Sequence, residues 1–440
     1  MNISVVGLGK LGLCTAACLA VKGHTVIGVD SRRETLEALG ERLCPIAENG
    51  LEALLEQAWG TLTCTDDYSA AVAGSDITLI IVPTPSLEDG TFTNEYLVRA
   101  LEQLAPALKT KTGFHVVDIV STVMPGSCEA VFIPLLETLT GKRCGRDFGL
   151  VYNPEFIALG SVIRDFLNPD MVLIGASDAL SADAVRELYA SAVESAPAYA
   201  VMNLVNAEIA KLSLNCFVTM KISFANELAA LCEEIPGAHV DVVTRAIGAD
   251  SRVGGKYLSG GLGFAGPCFP RDNEAFQAAG RRAGYAPKLS PSVVAVNKAV
   301  PGRIASRLAR WLRPGQSVAL FGVAYKQDTH IIEESQSIML AKHLLDSGYA
   351  VRVHDPLALD EAREALHDAA RYCPSPYEAA RDAGAVVLLT NWREFVEYDW
   401  EEIERVMAAD GVVFDSWRML QGVSFTRVAY CRLGVGEQSK

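Results

Sequence analysis

The feature that most constrains this chain is a strand–loop–helix–strand pattern near its N-terminus. Residues 3–6 form an apolar run with β-branched side chains, and a glycine loop, residues 7–12, follows directly. A helix-like segment, residues 13–22, leads to a second apolar run, residues 25–29, which ends at Asp30. This order of elements predicts the first βαβ unit of a parallel, doubly wound sheet.

The loop contains Gly7, Gly9 and Gly12 in a GxGxxG arrangement. In such a unit the glycines allow a tight turn, a close approach of the backbone to a pyrophosphate, and close packing of helix on strand. Asp30 lies where an acid bonds a ribose 2′-hydroxyl and repels a 2′-phosphate. We therefore predict dinucleotide binding with NAD as the cofactor, although Arg32 and Arg33 after the acid weaken the preference over NADP.

The same pattern recurs in the second half of the chain. Residues 317–322 form a strand-like apolar run, residues 335–347 a helix-like segment, and residues 348–355 match residues 23–30. The second unit has no GxGxxG and only Gly322 in its loop. It is therefore expected to bind a different nucleotide.

Between the halves, residues 203–234 form a helical pattern without glycine or proline. The predicted fold class is α/β, with two Rossmann-like doubly wound parallel-sheet domains joined by a long central helix. The predicted domains are an NAD-binding Rossmann domain at 1–200, a central helical dimerisation domain with a cysteine loop at 201–300, and a C-terminal Rossmann-like domain at 301–440.

Composition excludes several classes of partner. The 440 residues carry a net charge of −14 and no long basic run, so neither nucleic acid nor an anionic membrane is expected as a partner. The eleven cysteines show no CxxC or His/Cys metal spacing, and no leader peptide or bilayer-length apolar run is predicted. We expect a cytoplasmic protein with free thiols and no metal.

Two further strands end in residues suited to ligand contact. One apolar run, residues 75–82, ends at Pro83 and Thr84, and another, residues 115–120, ends near Thr122. Ligands of open parallel sheets bind at the carboxyl ends of strands, so these side chains are candidates for cofactor contact. Either hydroxyl could instead cap the next helix.

A glycine-rich loop, residues 261–267, runs into Cys268. Pro270 suits the first turn of a helix, whose partial positive charge would favour a thiolate at the preceding position. The loop glycines allow backbone amides to approach an anion, and Asp272 places a carboxylate nearby. The pattern predicts a nucleophile beside an anion site; the alternative is a plain turn with a buried cysteine.

Within the long helical pattern, Glu208, Lys211 and Asn215 recur at three- and four-residue spacing and share one face. Lys211 is a candidate for the site, and the alternative is a surface salt-bridge lysine. A long helix between two α/β halves also predicts a dimer interface on its apolar face.

Taken together, these motifs resemble the nucleotide-sugar 6-dehydrogenase family of the UDP-glucose dehydrogenase type along nearly the whole chain. The resemblance rests on the order and spacing of residues 7–12, 82–85, 121–123, 153–156, 211, 215, 248–254, 268–272, 323–326 and 390–392. It implies an enzyme that oxidises a sugar C6 alcohol to a carboxylate, with two NAD as hydride acceptors and a cysteine thioester as intermediate. UDP-glucose, converted to UDP-glucuronate, is the expected substrate, and the resemblance implies that the domain at 301–440 binds the UDP-sugar. A homodimer or higher homo-oligomer is the expected assembly.

The resemblance also implies roles for individual residues. Cys268 would be the nucleophile, Lys211 and Asn215 would stabilise an oxyanion, and Asp272, Glu155 and Thr122 would position water and move protons. The implied cofactor contacts are Gly7, Gly9, Leu11, Gly12, Asp30, Pro83, Thr84 and Thr122. The implied substrate contacts are Glu155, Phe156, Lys211, Asn215, Arg252, Tyr257, Leu258, Gly263 and Lys326, with Arg252 reaching into the neighbouring subunit's site.

Some positions depart from the family pattern. Leu159 replaces a second glutamate, Glu334 stands at an arginine position, Pro267 replaces a small serine, and residues 415–418 differ from the usual Asp-Gly-Arg-Asn. These differences leave two alternatives to UDP-glucose oxidation. One is the oxidation of another nucleotide sugar, such as a UDP-N-acetylhexosamine or GDP-mannose. The other is a binding protein that has lost catalysis.

Overall fold

A computed structural model of the protein describes residues 1–436. The chain forms two compact units, Met1–Ser213 and the part from Leu214 onward. Within the described residues, each unit contains one mainly parallel sheet with helices, and a 31-residue helix, Leu204–Glu234, links the two in sequence. The predicted fold class is therefore confirmed. The three-domain division remains a prediction.

The sheet of the first unit is built from strands that are buried along most of their length. Within residues 1–213 they are β1 (Asn2–Val6), β2 (Thr25–Val29), β3 (Leu62–Thr65), β4 (Ile77–Ile80), β5 (Val116–Ile119), β6 (Gly149–Tyr152), β7 (Met171–Ala176) and β8 (Ala198–Met202). Their order is β3-β2-β1-β4-β5-β6-β7-β8, and β6 and β7 are the antiparallel neighbours in an otherwise parallel sheet. Runs of Val, Ile and Leu suit strands that helices cover on both faces.

Helices cover both faces of this sheet and bury two apolar clusters, one on each face. They are α1 (Lys10–Val21), α2 (Arg33–Gly40), α3 (Leu51–Ala58), α4 (Tyr68–Ala73), α5 (Glu95–Thr110), α6 (Ile133–Thr140, preceded by a π-helical turn at Cys128–Phe132), α7 (Val162–Leu167), α8 (Ala179–Ala192) and α9 (Leu204–Glu234). Helix α1 begins three residues before the predicted segment, because the chain already turns helical inside the glycine loop.

The second unit repeats this plan on a smaller scale. Within the described residues its strands are β9 (Ser317–Phe321), β10 (Ala350–His354), β11 (Ala370–Tyr372), β12 (Ala385–Leu388), β13 (Val412–Asp415) and β14 (Ala429–Arg432). Their order is β11-β10-β9-β12-β13-β14, and all neighbours are parallel. In both sheets the strand order reverses beside the first strand of the unit, which is where open α/β sheets bind ligands.

The helices of the second unit are α10 (Val240–Gly248), α11 (Phe269–Arg282), α12 (Leu289–Leu308), α13 (Gln336–Asp346), α14 (Leu359–Leu366, followed by a 3₁₀ turn at His367–Ala369), α15 (Pro376–Ala380), α16 (Arg393–Glu397) and α17 (Trp400–Val406). Across the described part of the chain, no helix combines the length and the apolar composition that a bilayer crossing requires.

Candidate active site

The glycine loop of the first unit has the shape of a phosphate site. Gly7 has a φ of +94°, and a Cβ on it would lie 2.2 Å from the carbonyl oxygen of Ile81. A Cβ on Gly12 would lie 1.8 Å from the oxygen of Gly7, whereas a Cβ on Gly9 would point into open space. Gly9 is also the N-cap of α1 and supplies no side chain to its first amides. The first turn of α1 is therefore open to a pyrophosphate.

Asp30, at the end of β2, is buried and bonded to the glycine loop. Its carboxylate accepts from the Leu8 amide at 2.7 Å and from the Arg32 amide at 2.8 Å, and the Arg32 guanidinium also donates to it. Burial raises the pKa of Asp30, but the hydrogen bonds and charge of Arg32 and the Leu8 amide outweigh it and leave the pKa below its usual value. The carboxylate is thus placed at the predicted strand end, and its contact with a ribose remains a prediction.

The loops after β4 and β5 are tied together at the same edge of the sheet. The Thr84 hydroxyl donates to the carbonyl oxygen of Thr122 at 2.8 Å, and the Ser121 hydroxyl donates to the carbonyl of Val82 at 2.7 Å. Helix α5, the next helix after β4, has Asn94 as its N-cap residue rather than Thr84. The adjacent strand ends, rather than a helix start, determine the position of Thr84.

The loop after β6 brings Glu155 and Lys211 together within the first unit. Lys211 Nζ donates to the carbonyl oxygen of Glu155 at 2.6 Å and lies 4.4 Å from the centre of the Phe156 ring. Tyr189 on α8 donates its hydroxyl to Glu155 Oε1 at 2.6 Å. Burial raises the pKa of Glu155 to about 7, and the Tyr189 hydrogen bond and the Lys211 charge act in the opposite direction. Glu155 can therefore exchange a proton near neutral pH.

Glu208, which shares the predicted helix face with Lys211, has a different role. Its buried carboxylate accepts from the amides of Gly126 at 2.5 Å and Cys128 at 2.9 Å. Gly126 precedes the π-helical turn and Cys128 is its first residue, so Glu208 caps the start of that helical segment.

In the second unit, Cys268 is the N-cap residue of α11, with Pro270 in the first turn as predicted. Of the eleven cysteines, all of which lie in the described residues, Cys268 is the exposed one, and none forms a disulfide. A plain turn with a buried cysteine is therefore not what the structure contains. The position and exposure suit a thiolate stabilised by the helix N-terminus.

Asp272 lies one turn into α11, and its amide donates to the carbonyl oxygen of Cys268 at 2.9 Å. Its buried carboxylate accepts from Asn215 Nδ2 at 2.6 Å. Asn215 and Asp272 are 57 positions apart in the sequence, and the structure brings them into direct contact. An amide and a carboxylate are thus held close to the start of the helix that Cys268 caps.

The glycine-rich loop before Cys268 is fixed from several sides. Asn297 Nδ2 donates to the carbonyl of Phe264 at 2.9 Å, and a Cβ on Gly263 would lie 2.1 Å from Asn297 Oδ1. Tyr257 is exposed and has a φ of +63°, whereas Leu258 is buried. Close packing therefore accounts for Gly263, and contact of these residues with a nucleotide remains a prediction.

Two of the implied substrate residues lie elsewhere in the second unit. Lys326 follows the loop glycine after β9, and its Nζ lies 5.7 Å from the centre of the Tyr325 ring. Arg252 has a side chain that is 87% exposed, and it forms an ion pair with Asp250 at 2.7 Å. Contact of Arg252 with a neighbouring subunit remains a prediction.

Comparison with known proteins agrees with this arrangement. Three family models match the chain: the NAD binding domain (residues 1–193), the central domain (205–299) and the UDP binding domain (319–422) of the UDP-glucose/GDP-mannose dehydrogenase family. A UDP-glucose 6-dehydrogenase of Haloferax volcanii is 36% identical over 405 residues, 91% of this chain and 94% of the relative.

The chain belongs to the UDP-glucose/GDP-mannose dehydrogenase family. Among solved structures, a UDP-glucose dehydrogenase of Pyrobaculum islandicum has a TM-score of 0.87 at 32% identity, covering 99% of this chain and 98% of that one. A UDP-D-ManNAc dehydrogenase of Pyrococcus horikoshii has a TM-score of 0.83 at 26% identity, with full coverage of both chains.

Membership of this dehydrogenase family identifies NAD as the cofactor of the first unit. The residues present fit it, since the space left by Gly9 and the uncapped first turn of α1 suit a pyrophosphate. The third matched domain, residues 319–422, is the family's UDP binding domain, and it contains most of the second sheet. This agrees with the expectation that the two sheets bind different nucleotides.

The departures from the family pattern have structural counterparts. Leu159 packs against the apolar core of the first sheet.

In the second unit, Trp417 and Arg418 contact the start of the cysteine loop. The Trp417 indole donates to the carbonyl of Leu389 at 2.9 Å, and its ring occupies the space that a Cβ on Gly261 would enter. Arg418 is buried and donates to the carbonyl of Gly260 at 2.7 Å. Sequence reasoning missed that residues 417 and 418 hold the start of the cysteine loop, because no local pattern connects positions so far apart.

Proposed function

We propose that this protein oxidises the C6 alcohol of UDP-glucose to a carboxylate, forming UDP-glucuronate through a thioester on Cys268. The observation that carries the proposal is the exposed thiol at the N-cap of α11, one turn from a buried carboxylate that holds Asn215. Relatives named UDP-glucose 6-dehydrogenase, at 36% and 35% identity, support this substrate over others.

NAD+, when bound, supplies the hydride acceptor for both oxidations. In the first oxidation the C6 alcohol loses a hydride and a proton and becomes an aldehyde. The Cys268 thiolate then adds to the aldehyde carbon, forming a C–S bond and an alkoxide. Loss of the second hydride converts this thiohemiacetal into a thioester. Water attacks the thioester carbon, the C–S bond breaks, and the carboxylate leaves with regeneration of the thiolate.

The proposed proton and charge transfers use the remaining residues. Lys211 and Asn215 would stabilise the oxyanion that forms when the thiolate or water adds. Glu155 would accept a proton from the alcohol or from water, which the raised pKa of about 7 allows near neutrality. Thr122 and Asp272 would orient the hydrolytic water. Arg252, Tyr257, Leu258, Gly263, Phe156 and Lys326 remain proposed contacts of the UDP-sugar.

The test is the NADH yield of purified protein with limiting UDP-glucose. We expect two NADH per UDP-glucuronate formed, and no uronate from Cys268→Ser. Cys44→Ser is the matched control, since Cys44 lies in the first unit and its thiol donates to the main-chain oxygen of Ile46. Binding without turnover would favour the alternative of a homologue that has lost catalysis. Wild-type turnover by Cys268→Ser would refute the nucleophile.

A second candidate is another nucleotide sugar as substrate. The Pyrococcus horikoshii structure is that of a UDP-D-ManNAc dehydrogenase, and Leu159 and Trp417 depart from the family pattern. A panel of UDP-glucose, UDP-N-acetylhexosamines and GDP-mannose, monitored by NADH absorbance, distinguishes the two. A kcat/KM that is highest for an N-acetyl sugar or for GDP-mannose would replace UDP-glucose as the substrate.

We also propose a homodimer formed through α9, in a cytoplasm that keeps the eleven thiols reduced. Phe217, Phe224 and Leu231 recur at seven-residue intervals on this helix, and their exposed fractions are 59%, 49% and 56%. An apolar stripe of this kind is typical of a helix covered by a partner. Phe217→Glu combined with Phe224→Glu should give a monomer in light scattering, whereas an unchanged mass would contradict this interface.

A further inference from the structure

Tyr189 is a buried tyrosine for which the proposed chemistry has no role. It lies on α8, the residue is 3% exposed, and the centre of its ring lies 5.9 Å from that of Phe166. Its hydroxyl donates to Glu155 Oε1 at 2.6 Å. A ring held by core packing has few rotamers, so the hydroxyl is fixed in space before any ligand binds.

The two carboxyl oxygens of Glu155 differ in their hydrogen bonding. Tyr189 binds Oε1, and Lys211 binds the main-chain oxygen rather than the side chain. Glu155 is half-buried, and among the described residues its hydrogen bonds are those to Oε1 and to the main-chain oxygen, so none is made to Oε2. Leu159 contributes no polar atom in the position where the family resemblance places a second glutamate. The Tyr189 hydroxyl is therefore the fixed donor that orients this carboxyl.

The charges around Glu155 come from several elements. Asp118 on β5 is fully buried, both of its oxygens lack partners within the described residues, and burial raises its pKa well above the usual value, with the Glu155 charge acting in the same direction. A raised pKa favours the protonated form of Asp118, which lessens its repulsion of the Glu155 carboxylate. Cys18 on α1 also faces the group, with its pKa raised by burial, and Lys211 on α9 supplies the positive charge.

We infer that Tyr189 is a positioning residue for the oxidation: its hydroxyl fixes one oxygen of Glu155 and leaves the other to accept the proton of the alcohol or water. This inference rests on the proposed function, since it assigns Glu155 a proton-transfer role. The hydroxyl acts by stabilising the carboxylate form, which opposes the effect of burial. Tyr189 touches neither substrate nor cofactor in this role.

The test is the pH profile of kcat for Tyr189→Phe. If Glu155 acts as a base, the acid limb of kcat reports its ionisation. Loss of a hydrogen bond to a charged group should move this limb upward by about one pH unit, with kcat at high pH and KM for UDP-glucose within about twofold of wild type. Tyr96→Phe, which removes an exposed hydroxyl on α5, should leave the limb in place. An unmoved limb in Tyr189→Phe refutes the inference.

Two further measurements separate positioning from a merely structural effect. In Glu155→Gln the acid limb should disappear, and adding Tyr189→Phe should change the profile no further; additive losses would contradict the coupling. 3-Fluorotyrosine at position 189 keeps the shape and strengthens the donor, so it should move the limb to lower pH even if Tyr189→Phe does not fold. A shift to higher pH, or none, would overturn the inference.

A readout independent of turnover keeps this inference distinct from the proposed function. The infrared carboxyl band that is lost in Glu155→Gln can be titrated in the resting protein. Its midpoint should rise by about one pH unit in Tyr189→Phe. Absence of turnover on every nucleotide sugar would refute the proposed function, whereas an unchanged midpoint would refute the Tyr189 contact alone.

Discussion

The two sheets of this protein begin with the same turn. Gly7 and Gly322 follow the first strand of each unit with φ values of +94° and +88°. At the end of the second strand, Asp30 accepts from the Leu8 amide at 2.7 Å, and Asp355 accepts from the corresponding amide of the second loop at 2.6 Å. Strand, glycine turn and buried acid therefore form a common framework that does not depend on which nucleotide is bound.

The difference lies in how the helix that follows the first strand of each sheet starts. In the first unit, α1 begins at Lys10, and its N-cap Gly9 supplies no side chain. In the second unit, α13 begins at Gln336, and the Ser335 hydroxyl accepts from an amide of its first turn. The open helix start belongs to the NAD binding domain, whereas the capped helix belongs to the UDP binding domain, which has a longer loop after its glycine. The two sheets therefore share one framework and differ in whether a side chain caps the helix that follows the glycine turn.

Among substitutions that should affect one unit and not the other, we expect the largest effect from Gly12→Ala in the first glycine loop. Because the added Cβ would lie 1.8 Å from the oxygen of Gly7, the loop and α1 must separate. We expect NAD affinity to fall about 100-fold, as a displacement near 1 Å can produce, with UDP affinity unchanged. Calorimetric titrations with NAD and with UDP check this. Gly60→Ala, whose Cβ meets nothing within 4 Å, is the matched control, and equal loss of both ligands would contradict the separation of the two sites.

A smaller effect is expected on the free energy of unfolding, from a buried position at which the two sheets differ. The register places Asp118 of β5 where the second sheet has Phe414 of β13. Asp118→Val removes a buried carboxyl without partners and should raise the free energy of unfolding by about 1–3 kcal/mol in urea denaturation. Lower stability would show that the carboxyl has a partner in solution.

The same carboxyl has a predictable pH dependence. Its pKa is raised on folding, so the folded state binds the extra proton above the unfolded value of 3.8 and stability falls as pH rises from there. Asp118→Val should flatten this decline, and an unchanged slope between pH 4 and 7 would contradict the assignment.

The smallest expected effect is that of Ser335→Ala. Loss of the cap on α13 should cost about 1 kcal/mol of stability and leave NAD affinity unchanged. Ser292→Ala, which removes a hydroxyl bonded within α12, is the control. A change in NAD affinity would show that the two helix starts do not act separately.

Local sequence patterns were sufficient to predict the two βαβ units and the long helix between them. The glycine spacing, the apolar runs and the acids predicted both βαβ units, and the absence of glycine and proline predicted α9. Pro270 correctly predicted that Cys268 precedes a helix. Thr84 and Thr122 were grouped correctly because the carboxyl ends of parallel strands share one edge.

The contacts that shape the site were not predictable in the same way. The pairs Tyr189–Glu155 and Asn215–Asp272 join elements far apart in sequence, and their distances depend on how helices pack on strands. The bond from Lys211 ends on a main-chain oxygen, for which no residue type gives a signal. Tertiary packing determines such contacts, and a single sequence has no periodicity that encodes them.

The most direct test of the account is a search for the covalent intermediate on Cys268. A single turnover with UDP-glucose and NAD, quenched in acid and digested, should give a peptide containing Cys268 that carries the mass of a UDP-glucuronyl thioester. Hydroxylamine should remove this mass, and Cys268→Ala should not acquire it. Full conversion to UDP-glucuronate with no adduct at any time point, or with the adduct on another residue, would contradict the central claim.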